Sequence, residues 1–384
     1  MRFSGQFSTW GGAVLLALGA VLVPAYAQAQ HPKEAKPGLV LRKPASPVTL
    51  LVTARDKHGA LVPDLTASEM TLTEDGRPQG IQSFTRESAL PFELGLLVDT
   101  SASMMPAMES ERKAADKLID QMLPANPGSG KKDEAFLIHF DREVELLRDF
   151  TSSRDKLHTE VEGMGPTSKT RDERQGPETM GDDRDRPMQT GGSQLYDAVF
   201  LACDELMKSK DGRKALVIFS DGIDRGSKES MNDAIDAADR SGVTLYTVYL
   251  RGDQDRESPL SNSGHRGSLG GIWPGGGRYP GGGYPGGGGQ PGGGGKMPKA
   301  DGKRGMEQMA TRTGGRYFDT RKKEDLELIY GMIGDELHGQ YVLTYTPDKA
   351  DEEGGYHKVA LKTSRKDVSV VTRQGYYAPG GSAQ

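Results

Sequence analysis

Asp99-Thr100-Ser101-Ala102-Ser103 sets one carboxylate and two hydroxyls at alternate positions. These are hard oxygen donors, which suit Mg2+, Ca2+ or Mn2+ better than zinc. Apolar residues 94–98 precede them and read as a short buried strand, and a helical pattern starts near 105. On a strand-to-helix turn the three side chains can point at one spot. Taken alone, the same residues also fit ordinary capping, because Asp and Ser are common turn and N-cap residues.

Positioning such a cluster takes a scaffold, and the chain offers one from residue 91 onward. Expected strands at 94–98, 136–140, 144–150, 215–219, 243–250 and 316–318 alternate with expected helices near 105–122, 154–162, 194–208, 228–240, 303–312 and 322–337. Residues 215–219 are strictly apolar, which favours burial on both faces, as in a parallel sheet. The alternation argues for an α/β fold with a doubly wound, mostly parallel sheet over 91–338. Ligands of such sheets bind beyond the carboxyl ends of the strands.

The flanks follow another rhythm. Residues 47–88 and 339–378 alternate apolar and polar positions at a period of two, with a hairpin turn at Glu74-Asp75-Gly76-Arg77. Each is too short to bury a good core alone. The first strand of the α/β domain starts, and its last helix ends, at the sheet edge opposite Asp99. The two β units are therefore expected to pair into one small β-sandwich-like domain with the α/β domain inserted in it. Residues 379–384 are read as a tail.

Before residue 47 the chain reads as a leader. Arg2, an apolar stretch over 13–23 and Ala25-Tyr26-Ala27 give the order of a secretory signal peptide over 1–27. Residues 28–46 read as a polar tether. After cleavage no segment approaches the ~20 apolar residues of a membrane span, so a periplasmic or secreted protein is expected. Two stretches, 164–192 and 258–300, are expected to be disordered insertions. The first is highly charged, and the second holds a glycine-rich run with Trp273, Tyr279 and Tyr284. Both would rim whatever Asp99 holds.

The D-x-S-x-S run resembles the first metal-binding motif of von Willebrand factor type A domains, the metal-ion-dependent adhesion site. Two later stretches resemble the family's second and third motifs: Gly191-Gly192-Ser193-Gln194-Leu195-Tyr196-Asp197-Ala198 and Phe219-Ser220-Asp221-Gly222-Ile223-Asp224. The resemblance implies that Ser101, Ser103 and Ser193 ligate a divalent cation directly, Mg2+ before Mn2+ or Ca2+. Asp99 and Asp221 would act directly or through water. A protein partner would complete the coordination with a carboxylate. The chain departs from the pattern at Ala102, where glycine is usual, and at Ser193, where threonine is usual. The flanks, through Glu74-Asp75-Gly76, Tyr341-Val342-Leu343-Thr344-Tyr345 and Arg373-Gln374-Gly375-Tyr376-Tyr377, are similar to bacterial proteins called VWFA-related.

Other signals carry less. The net charge of −5 lacks the basic footprint of a nucleic-acid binder. One cysteine, Cys203, excludes an intrachain disulfide framework, and its helical setting points to a buried, inert thiol. Gly128-Ser129-Gly130-Lys131 fails the phosphate-loop pattern, since Ala125 stands at the first glycine position. Arg251-Gly252-Asp253 is a short tripeptide that arises easily by chance. His139 reads as a satisfied sheet histidine, and no G-x-S-x-G elbow occurs. The expected function is a non-enzymatic, metal-dependent binding or adhesion module. The alternatives are a structural envelope component with a stabilising metal, or a metal-assisted hydrolase with Asp224 as base.

Overall fold

The computed structural model describes residues 46–86, 90–124, 132–166, 192–250, 302–320, 324–348 and 355–378. The expected signal peptide, the tether up to residue 45, Gly128–Lys131, Arg251-Gly252-Asp253, the 258–300 insertion, the 379–384 tail and all but the ends of the 164–192 stretch lie outside them. Among the described residues no helix is long and apolar enough to cross a membrane.

The chain enters through β1 (Val48–Asp56), β2 (Met70–Glu74), β3 (Arg77–Gln79) and β4 (Ile81–Thr85). Two residues with positive φ, Asp75 (48°) and Gly76 (79°), make the tight turn between β2 and β3. The α/β part then runs β5 (Phe92–Asp99), α1 (Met108–Met122), β6 (Glu134–Phe140), β7 (Val144–Thr151), α2 (Arg154–Gly163), α3 (Leu195–Leu201), β8 (Arg213–Ser220), α4 (Met231–Ser241), β9 (Thr244–Tyr249), α5 (Gly302–Thr313), β10 (Tyr317–Asp319) and α6 (Glu324–Gly339). The chain leaves through β11 (Tyr341–Tyr345), β12 (Tyr356–Thr363), β13 (Val368–Val371) and β14 (Gly375–Tyr377).

The α/β strands form one six-stranded sheet in the order β10-β9-β8-β5-β6-β7. Every pairing in it is parallel except that of the edge strand β7 with β6. All eight residues of β5 are buried, because helices cover both faces. Leu94, Leu96 and Val98 pack on one side with α1 and α6, while Leu97 faces α3, α4 and α5 on the other. From β5 the chain first winds towards β6 and β7, then returns to β8, β9 and β10. The reversal falls at the carboxyl ends of β5 and β8, the place where doubly wound sheets hold ligands.

The two flanks pair with each other, as their exit from one side of the α/β part implied. One four-stranded sheet has the order β13-β1-β11-β4, the other β14-β12-β2-β3, so each mixes strands from both ends of the chain. Their shared core includes Leu50, Val52, Leu72, Leu343, Tyr345, Val359 and Tyr376. Neither flank could build this core alone.

Two helices differ from the sequence expectation. α1 starts at Met108, not near 105, because successive tight turns fill 101–107: Met104 N–H donates to Ser101 O (2.9 Å) and Ala107 N–H to Met104 O (2.9 Å). The expected helix at 194–208 is α3 followed by one wider π turn over Ala202–Met207. That turn keeps Ala202, Cys203 and Met207 buried together, and π segments of this kind interrupt α-helices locally.

Candidate metal centre

Asp99 is the last residue of β5 and is fully buried. Its Oδ1 accepts the Ser101 backbone N–H at 3.0 Å, an Asx-type turn that swings the chain out of the sheet. Its Oδ2 accepts the Ser193 hydroxyl at 3.1 Å and the Ser220 hydroxyl at 2.6 Å. Ser101 Oγ and Ser103 Oγ stand 3.1 Å apart, and Ser103 Oγ donates to Asp221 Oδ2 at 2.9 Å. Thus Asp99, Ser101, Ser103, Ser193 and Asp221, drawn from three separate loops, stand within one hydrogen-bonded net. Ser103 is half-buried, and the other four are buried.

Each loop is fixed from behind. Thr100 N–H donates to Phe140 O (2.9 Å), tying the first loop to the end of β6. Gln194 N–H donates to Asp141 O (2.8 Å) and Arg225 N–H to Ser193 O (2.9 Å), so the second loop bridges its neighbours. Asp197 accepts Lys228 N–H (2.9 Å) and Glu229 N–H (2.8 Å), which pins the chain after the third loop. Gly222 has φ +69°, and a Cβ there would lie 2.4 Å from the Gly302 carbonyl, so only glycine serves beside Asp221. Ala102 has no such difficulty. It is exposed, and Asp75 and Asp367 are the non-glycine residues with positive φ among those described.

The electrostatics are those of buried acid gathered in one place. Burial first, and then the Asp221 charge, push the Asp99 carboxyl up to about 6 against the hydroxyl and backbone donors that lower it. Beneath it, Glu111 of α1 is buried with both carboxylate oxygens lacking a hydrogen-bond partner among the described residues. Its pKa stands well above the ordinary value, by burial first and by the nearby Asp99 charge second. Hydroxyls and carboxylates converging without a cationic side chain in the net make a donor set that fits a hard divalent cation. Held there, a cation would neutralise Asp99 and Asp221 together.

One member of the site, Ser220, and one buried acid that feels its charge, Glu111, were not identified from the sequence. Ser220 precedes Asp221 and makes the shortest of the Asp99 contacts, 2.6 Å. Glu111 had a legible signal: it interrupts the buried stripe of Met108, Ala115, Leu118 and Met122 on α1. Asp224, the candidate base of the hydrolase reading, accepts Tyr196 N–H (3.3 Å) and the Ser227 hydroxyl (2.5 Å), which gives it a loop-holding place. His139 lies between Gly165 O (2.9 Å from Nδ1) and Glu145 Oε2 (3.0 Å from Nε2), the satisfied sheet histidine expected. Cys203 is buried, and burial pushes its thiol up to about 12.

Residues 94–223 match the family model of the von Willebrand factor type A domain. No curated protein matches the chain. Among solved structures, an aerotolerance-related membrane protein from Bacteroides fragilis is similar at 15% identity and TM-score 0.39, over 64% of this chain and 98% of that one. BatB from Bacteroides thetaiotaomicron gives 14% identity and TM-score 0.38, again over 64% and 98%. Proximal thread matrix protein 1 from the mussel byssus, with a zinc-occupied MIDAS motif, gives 10% identity and TM-score 0.41 over 69% of this chain and 49% of that one.

Proposed function

We propose that this chain, which carries a von Willebrand factor type A domain over 94–223, is an exported protein-binding module that grips its partner through a divalent cation. The carrying observation is the net that joins Asp99, Ser101, Ser103, Ser193 and Asp221 at the switch point of the sheet. Its ligands include three neutral hydroxyls, so a bound cation keeps much of its charge for an incoming group. Mg2+, which holds few protein carboxylates and retains open or water-filled positions, suits that arrangement best. A carboxylate from a partner protein would enter there. Half-buried Ser103 and exposed Ala102 and Met105 leave a way in.

Binding rather than catalysis is the reading supported by Asp224, whose hydrogen bonds to Tyr196 and Ser227 hold the loop. Export rests on the leader read in residues 1–27. The test is capture of envelope proteins by the mature chain in Mg2+ and in EDTA, beside Asp221→Ala. Capture by the wild type in Mg2+ only, and lost in Asp221→Ala, is expected. Capture indifferent to both EDTA and the substitution would overturn the proposal.

A second reading, a cation that serves only to stabilise the fold, is favoured by the buried acid of Glu111 beneath Asp99. It predicts that EDTA lowers the melting temperature while partner capture stays intact.

A further inference from the structure

A second group of metal-ligand atoms lies in the β-sandwich, away from the switch point. Glu74 ends β2, Asp75 follows in the turn to β3, and His357 is the second residue of β12. A carboxylate oxygen from each acid and a ring nitrogen of His357 all lie within 4.8 Å of one another. His357 Nδ1 is 2.8 Å from Asp75 Oδ2 and 3.8 Å from Glu74 Oε1.

The surroundings hold these atoms in place. Glu74 is buried, and its Oε2 accepts both the Tyr345 hydroxyl (2.5 Å) and the Tyr376 hydroxyl (3.0 Å). Two phenols on one oxygen turn the other, Oε1, towards His357. Asp75 is fixed by its left-handed backbone (φ 48°) and by two bonds with Lys358: its N–H donates to Lys358 O (2.8 Å), and its Oδ1 accepts Lys358 N–H (2.9 Å). The His357 ring stacks on Tyr376 with centroids 5.4 Å apart. Orientation of first ligands by such outer contacts is the usual construction of a metal site.

We infer that Glu74, Asp75 and His357 form a second divalent-cation site, of the zinc class. One proton on Nδ1 can satisfy Asp75 at 2.8 Å but leaves Glu74 Oε1 at 3.8 Å, beyond hydrogen-bond reach. A cation serves all three. Zinc holds N and O donors at about 2.0–2.1 Å in a tetrahedron, which sets neighbouring donors roughly 3.3 Å apart. The observed 2.8 and 3.8 Å from His357 Nδ1 fall on either side of that spacing. One imidazole with two carboxylates matches borderline zinc, in contrast to the all-oxygen set around Asp99. The Asp75 side chain is 45% exposed, which gives the ion an entry and a fourth position for water. Asp75 and His357 are separated by 282 positions in sequence, so the ion would clasp the two flanks of the sandwich around the inserted α/β domain.

The test titrates zinc into the full chain carrying Asp99→Ala, which removes the switch-point site, and compares it with Asp99→Ala/His357→Gln and Asp99→Ala/Asp75→Asn. The single variant is expected to bind one tight zinc equivalent and to melt higher with zinc. Each double variant should lose at least about tenfold in affinity, the low end of what even an outer-shell change costs. Asp75 is exposed and its amide is isosteric, so a native circular dichroism spectrum is expected there even if His357→Gln disturbs folding. Absence of tight zinc binding in Asp99→Ala, or equal affinity in Asp75→Asn, would overturn the inference.

Discussion

At the scale of single residues, the centre is governed by Asp99. Its carboxyl is lifted from an ordinary 3.8 to about 6 by burial first, so the folded chain holds this proton more tightly than the unfolded chain does. The stabilisation from that proton is complete below about pH 4 and is lost as the pH rises through about 6. Without metal, the melting temperature of the wild type should therefore fall across that window more steeply than that of Asp99→Asn. Asp239 is also pushed up to about 6, but it is present in both proteins and cancels from the comparison. Parallel melting curves would refute the assignment. Spacing showed that Asp99, Ser101 and Ser103 could converge, since alternate positions on a turn share a direction, but it fitted ordinary capping as well until the resemblance to the type A motifs added Ser193 and Asp221. Ser220 was hidden, because its contact with Asp99 depends on which neighbour β8 takes in the sheet. Ala102→Gly should leave metal affinity within about twofold, because the exposed methyl sits on ordinary backbone. A large gain in affinity would show that the methyl obstructs the site.

At the scale of elements, β5 connects the centre to the core. Its Gly95 lies where Leu216 and Phe136 close over the strand, and a Cβ would stand 2.3 Å from Leu216 Cδ2 and 2.4 Å from Phe136 Cζ. Gly95→Ala should therefore cost about 1–3 kcal/mol in urea unfolding, the usual range for an overpacked core. A loss near zero would mean that the two side chains withdraw freely. Most elements were legible because their periods differ: two for the flanking strands, helical for α1 and α4, and a continuous apolar run for β8. Ser230 and Asp233 form a capping box at the start of α4, and Gly242 (φ 76°) ends it. The π turn after α3 was not legible, because its hydrophobic spacing is within the tolerance of an ordinary helix. The start of α1 was missed because local turns from Ser101 to Ala107 compete with the helix.

At the scale of the molecule, the two parts are joined by buried charge. Glu336 of α6 is buried and ion-pairs with Arg55 of β1, while Tyr246 of β9 donates to its Oε1 at 3.2 Å. Gln340 Nε2 in turn donates to the Tyr246 hydroxyl at 3.0 Å. Removing one member of a buried pair strands the other, so Glu336→Ala should destabilise by about 3–5 kcal/mol. Arg55→Met/Glu336→Leu removes both of these charges and leaves half-buried Arg316 without its 3.9 Å contact to Glu336, so it should cost less than Glu336→Ala. Equal losses from the single and double changes would show that packing alone is involved. The sandwich was inferred from the direction in which the chain enters and leaves the α/β part, but its register was not. That depends on cross-strand partners such as Leu50 with Leu343 and Leu72 with Leu361, which no local pattern encodes. The decisive measurement is calorimetric titration of Mg2+, Mn2+ and Ca2+ into residues 28–384, the chain without its expected leader, beside Asp99→Ala. Saturable binding of one equivalent by the wild type, absent in Asp99→Ala, is the predicted result; heats that are absent from both proteins, or the same in both, would contradict a cation centre at Asp99.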